Sequence, residues 1–174
     1  MSASDRDLWQ ADGASSQRQT EDGEMSALDR MADDTSLASH LHGQANLLAL
    51  PERALFMARA IIASLDDDGY LRTPLQDLLQ VTALDPVATP AEMQIALRRV
   101  QSLDPAGVGA RSVGECLQLQ MPAITCPDMR AMAQIIVAEH LPSLAARDVT
   151  NLARRLNATP ARVEEVCDRI RRLD

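Results

Sequence analysis

The chain contains no lysine. All 17 basic side chains are arginine, set against 25 acids in 174 residues, for a net charge of -8. An excess of acid argues against a protein that coats nucleic acid through uniform charge, because phosphate binding is driven by basic side chains. It leaves room for a local basic face. Aromatic residues are nearly absent: Trp9, Phe56 and Tyr70 are all there are. A mainly β domain of this size needs more aromatic and β-branched side chains. Three cysteines, Cys116, Cys126 and Cys167, stand at spacings of 10 and 41. An odd number so spaced fits neither a disulfide framework nor a zinc site, and a reducing cytoplasm is the expected compartment. No run approaches the ~18 apolar residues of a membrane span. Met1 to Gln10 carries charges and no apolar core, so it does not read as a signal peptide.

What is abundant is leucine and alanine, 50 residues together against 24 of valine, isoleucine and threonine. Straight-chain residues and alanine lose little freedom in a helix, so the expected fold class is all-α. The charge is uneven. Residues 1–34 hold nine acids and three arginines, and residues 35–174 hold 16 acids and 14 arginines. The first stretch has too few large apolar residues to offset its ordering entropy, and it reads as a disordered acidic segment. Within it, Leu8-Trp9 is a short apolar point that suits docking or is incidental.

Eight helices are expected beyond it. Thr35 caps a first helix with Leu37, Leu41, Ala45 and Leu48. Pro51 suits a first helical position, with Leu55, Ala58, Ile62 and Leu65 on one face, and Gly69 ends that segment in a left-handed conformation. Pro74 opens a short helix with Leu75, Leu78 and Leu79. Thr89-Pro90-Ala91-Glu92 is a capping box, followed by Met93, Ala96, Val100 and Leu103 inward and Arg98, Arg99 and Gln101 outward. Ser112 with Glu115 makes a second box. After a break from Met121 to Pro127, Met132, Ile135, Ile136 and Glu139 mark a helix that Pro142 limits. Asp148 caps a helix with Leu152 and Leu156. Thr159-Pro160 starts the last one, with Val163, Val166, Ile170 and Leu173 as its stripe and Glu165/Arg169 and Asp168/Arg172 as its i,i+4 pairs. Two small bundles in tandem result: residues 35–121, then a helix-turn-helix-like 122–174.

Catalytic and metal motifs find no support. As a calcium loop, Asp66-Asp67-Asp68-Gly69 places Ser64 and Leu75 where acidic ligands belong, so a solvated turn is preferred. Gly107-Val108-Gly109 lacks the third glycine and the preceding strand of a dinucleotide fingerprint. His40 and His42 face different sides of a helix, and His140 stands alone. No cofactor, metal or catalytic residue is assigned, and a binding module is preferred to an enzyme. The pair of helices around Asn157-Ala158-Thr159 resembles a helix-turn-helix. Arg154, Arg155, Arg162, Arg169, Arg171 and Arg172 charge it, but Glu164, Glu165 and Asp168 sit where a recognition helix meets phosphate. Structural packing is preferred, with an autonomous DNA-binding protein as the alternative.

Three stretches carry more information together. They are Ile61 to Leu71 (IIASLDDDGYL), Val100 to Arg111 (VQSLDPAGVGAR) and Glu115 to Gln120 (ECLQLQ). In this order and spacing they closely resemble the core-binding region of sigma-54, the nitrogen-type bacterial sigma factor. Further similarity runs from Ser36-Leu37, His40-Leu41 and Gln44, through Glu139-His140-Leu141, to Ile170 through Asp174. The acidic segment 1–34 resembles the variable acidic region that precedes the core-binding part. Ser112, Val113 and Gly114 depart from the more usual charged and leucine residues.

The resemblance implies a cytoplasmic, bacterial transcription initiation factor that binds core RNA polymerase through two helical subdomains. Promoter DNA and an ATP-dependent activator are partners of full-length relatives, through regions this chain lacks. That makes it a fragment or truncated form, and an inhibitory fragment is a third, weaker reading. The candidates for polymerase contact are Asp67, Tyr70, Asp104 and Arg111. Gly69, Pro105, Gly107 and Gly109 are candidates for shaping the loops.

Overall fold

Side-chain caps start four of the helices. A computed structural model describes Leu28 and residues 37–173. The acidic segment, with Leu8-Trp9, and the Thr35 cap otherwise lie outside the described residues. Contacts divide the chain into Met1–His40 and Leu41–Asp174, and the architecture that follows is that of the second unit.

The helix over residues 37–47 (α1) buries Leu41 and Ala45, one turn apart. Then come α2 (Glu52–Ala63), α3 (Leu75–Val81), α4 (Pro90–Gln101) and α5 (Val113–Gln120). A 3-10 turn (Met121–Ala123) leads to α6 (Pro127–Glu139), α7 (Leu141–Ala145), α8 (Val149–Leu156) and α9 (Pro160–Arg171). The described residues thus hold nine helices rather than eight. The addition is α7, because Pro142 falls in the first turn of a new helix, where its missing N–H costs nothing. The all-α expectation holds; an isolated antiparallel bridge joins Leu65 and Leu71.

Thr89 and Glu92 form both halves of their box. Asp148 accepts from the Asn151 N–H at 3.2 Å, and Thr159 from the Arg162 N–H at 3.3 Å. Asn157, at φ 50°, closes α8 in the left-handed region that asparagine tolerates. Pro51 and Pro74 sit one position earlier than expected, as N-caps with ψ near 146° and 141°. That extended ψ keeps each proline outside the helix proper.

α2 and α3 pack on α4. The inward face of α2 is Met57, Ala58, Ile61 and Ile62, not Leu55 and Leu65. The helix stops at Ala63, so Leu65 belongs to the following loop. α4 buries Met93, Ala96, Leu97 and Val100 as its 3.6 period requires. A second contiguous core spans Met121 to Ile170, with Ile136, Leu152, Val163 and Val166 fully enclosed. There α6 turns Met129, Ala133, Ile136 and Val137 inward, and Ile135 is exposed. On α9 the acids choose different partners from those expected: Arg162 pairs with Glu165 and Arg171 with Asp168. Arg169 and Arg172 instead turn toward residues 123–126 and line a cavity there.

One ion pair fastens α2 to the start of α4. The Arg53 guanidinium donates to both Glu92 oxygens, at 2.9 and 3.2 Å, and to the Pro86 carbonyl at 2.7 Å. The Arg53 guanidinium first, then the Thr89 N–H and hydroxyl, hold the Glu92 carboxyl down at about 2, against 4.5 for an ordinary glutamate. A depressed carboxylate contributes stability that is present above its unfolded value and lost as pH falls through its folded value. Glu92→Gln is therefore expected to lower the melting temperature at pH 7, and its curve should converge on the wild type as pH drops from 4.5 toward 2. Parallel melting curves across that window would show that the pair contributes nothing.

Candidate functional site

The candidate residues lie on two loops that the fold joins side by side. After the Ser64 C-cap, the chain closes a tight loop from Leu65 to Leu71. The Gly69 N–H donates to the Asp66 carbonyl and the Asp66 N–H to the Tyr70 carbonyl, both at 2.9 Å. Gly69 has φ +81°, which glycine adopts without strain. The Asp66 carboxylate organises the turn. One oxygen accepts from the Asp68 and Tyr70 N–H groups at 3.0 and 2.8 Å, and the other from Arg72 Nε at 2.8 Å. Arg72 first, then those N–H groups, hold the Asp66 carboxyl below its ordinary range. The acidic run is thus more than a solvated turn. Asp66 is half-buried and bonded, and only Asp67 and Asp68 are exposed.

The second loop begins where Gln44 of α1 clamps the backbone of Asp104. Its amide donates to the Asp104 carbonyl at 2.6 Å and accepts from the Asp104 N–H at 2.9 Å. Residues 107–110 are buried. The Gly109 N–H donates to the Gly69 carbonyl at 2.8 Å, and the Leu71 N–H to the Ala110 carbonyl at 2.9 Å. These two bonds join the loops. From α4, Gln101 donates to the Gly109 carbonyl and to Glu115, each at 3.1 Å. Gln101 therefore faces inward, not outward, because the loop carbonyl needs a donor. From α5, Glu115 accepts from the Arg111 N–H at 2.7 Å and from its guanidinium twice at 3.0 Å. Ser112 receives the Glu115 N–H, so half of the second capping box forms. The Glu115 carboxylate goes to Arg111 instead of closing it. Arg111 first, with help from Gln101, holds that carboxyl low.

Beneath the loops lies Cys116. Its thiol accepts from Gln120 Nε2 at 3.3 Å and faces the Tyr70 hydroxyl. That contact and burial push the Tyr70 hydroxyl up. The Arg72 guanidinium stands 5.2 Å from the centre of the Tyr70 ring. Gly107, at φ +92°, presses on the same spot: a Cβ there would lie 2.7 Å from Cys116 Sγ and 3.0 Å from Gln120 Nε2.

The fold thus gathers Tyr70, Gly69, Gly107, Gly109 and Arg111 into one junction. Asp67 stands apart at a turn tip, and Asp104 and Pro105 are exposed at the loop start. Sequence reasoning missed the polar group that holds the junction: Gln44, Asp66, Gln101, Glu115, Cys116 and Gln120. Gln120, an amide between Leu119 and Met121, was the available signal. The cysteines are free thiols. Among the described residues no group of three or more His, Cys, Asp or Glu side chains is placed to hold a metal. Nor is any helix there long and apolar enough to cross a membrane. The chemistry the junction offers is rigid display: paired charges at the rim and, among the described residues, no buried side-chain nitrogen or oxygen without a partner.

Comparison with known proteins places this geometry. The family model described as sigma-54 factor, core binding domain, matches residues 26–174. The RNA polymerase sigma-54 factor of Xanthomonas euvesicatoria is 38% identical over 149 residues, covering 85% of this chain and 31% of the relative. That of Pseudomonas aeruginosa is 34% identical over 168 residues, covering 94% and 33%. That of Escherichia coli is 29% identical over 141 residues, covering 80% and 29%. The chain spans about a third of the length of the curated relatives it matches.

The Gly107 contact is directly testable. Gly107→Ala combines a left-handed strain of about 1–2 kcal/mol with the clash on Cys116. Urea unfolding is expected to show a clear loss of stability. Adding Cys116→Ala removes the sulfur but not the strain, so it should recover only part of the loss. Full recovery would place the whole cost in the clash; no loss at all would mean that the loop does not need glycine.

Proposed function

Because the chain belongs to the sigma-54 core-binding domain family, we propose that it docks on core RNA polymerase as part of a bacterial transcription initiation factor. The observation that carries this reading is the coincidence of the family match with the junction, into which the second signature stretch and parts of the other two are hydrogen-bonded. The role is that of a binding module rather than an enzyme, and it is exercised in the cytoplasm, where core polymerase works. Residues 35–121 and 122–174 act as its two helical subdomains. The packing of α2 and α3 on α4, and a contiguous core running from Met121 to Ile170, are its support; α5 packs on α6 across the boundary.

In this reading Asp67, Asp104 and Arg111 present charge to the polymerase from the rim of the junction. Tyr70 acts from inside, holding the first loop against Cys116. Exposure supports the first three assignments, and the contact to Cys116 supports the last. Promoter recognition and the response to an ATP-driven activator are assigned to the whole protein, not to these residues.

The test is co-migration of the 174-residue chain with purified core polymerase in gel filtration at low salt. A complex is expected, and a folded chain that stays free would overturn the reading. Charge reversal at the rim, Asp67→Arg with Asp104→Arg, should weaken the complex by roughly tenfold while leaving the melting temperature unchanged. Unchanged affinity would remove those two residues from the interface.

A further inference from the structure

The ends of α6 and α9 meet at a feature outside the loop junction. The turn from Ala123 to Cys126, with Met129 of α6, forms one wall of a cavity of about 190 Å³. Arg169, Arg172 and Leu173 form the other. Among the described residues neither arginine has an ion-pair partner, because Glu165 is taken by Arg162 and Asp168 by Arg171. Arg130 donates to the Ile124 carbonyl at 2.8 Å and to the Thr125 carbonyl at 3.4 Å. It thereby occupies two oxygens that would repel an anion. Cys126 is the N-cap of α6, and its thiol lies near the first N–H groups of that helix and the Arg162 side chain. These contacts, the Met129 N–H first, hold the thiol below its ordinary range. The one acid on the adjoining first turn is Asp128, which is exposed. Two exposed arginines and the residues at the positive end of a 13-residue helix therefore line one cavity.

We propose that this cavity binds a phosphate group, held by Arg169 and Arg172. Guanidinium groups match the geometry of an oxyanion better than that of a neutral ligand. A contact of this kind carries no base sequence. On a nucleic acid it fixes position along the backbone, which differs from reading a promoter through a recognition helix. None of its residues belongs to the junction, so its test and the test of polymerase docking can fail separately.

Cys126 is a built-in reporter. A bound phosphate covers the thiol and disfavours its thiolate, so alkylation by iodoacetamide slows. Cys116, at the junction, is the internal control. With the 174-residue chain at constant ionic strength, inorganic phosphate is expected to slow modification of Cys126 several-fold and leave Cys116 unchanged. Arg169→Gln with Arg172→Gln should abolish the protection; Arg98→Gln with Arg99→Gln, on α4, should not. An unprotected Cys126 in the wild type overturns the proposal without any variant, and so does equal loss in the α4 control. A second arm uses a labelled DNA duplex. If the backbone supplies the phosphate, the log–log salt slope of binding becomes shallower by about 1 for each arginine removed. Phosphate protection with no change in that slope makes the free anion the ligand of the same site.

Discussion

Two backbone hydrogen bonds, Gly109 to Gly69 and Leu71 to Ala110, hold together the part of this molecule that distinguishes it from an ordinary helical bundle. They tie a loop after α2 to a loop after α4, and so set the spacing between α2, α4 and α5. Neither loop has a strand or helix to satisfy its backbone. Each buried N–H and carbonyl must therefore find a specific partner, or cost about 1–3 kcal/mol. Glycine at 69, 107 and 109 follows from that demand, because all three take positive φ.

The polar side chains around the loops answer the same demand. Gln44 serves Asp104, Gln101 serves Gly109, and Glu115 serves the Arg111 N–H. Among the described residues no buried side-chain nitrogen or oxygen lacks a partner. A network so fully satisfied is stiff, since loss of one member strands another. In the docking role proposed above, the charges at Asp67, Asp104 and Arg111 would come from a frame that loses little ordering entropy on binding. The two apolar cores on either side supply the frame.

The arginines divide by the same logic. Arg53, Arg72 and Arg111 tie elements together. Arg162 and Arg171 pair along α9, so its acids are neutralised locally. Arg169 and Arg172 are left beside a helix N-terminus. A net charge of -8 thus coexists with a small positive cavity, because nine of the 25 acids lie in residues 1–34.

The helices were legible in the residues themselves. Thr89, Asp148 and Thr159 cap where their short polar side chains can reach the first N–H groups, and 3.6 periodicity placed Val163, Val166 and Ile170 inside. Those are local rules, acting over a few residues. The family signature, Val100 to Arg111 above all, was also legible as a pattern. The faces of α2 and α6 were less so, because leucine and isoleucine occur on both sides, and only the packed neighbour decides which side is buried. Least legible was the junction. Gln44 and Asp104 are 60 positions apart, Gly69 and Gly109 forty. Sequence determined which segments are helical and where the chain must turn; tertiary structure alone decided which turn meets which, and which acids the arginines pair with. The reason is that hydrogen bonds and ion pairs act over a few ångströms, and only folding brings such distant residues that close.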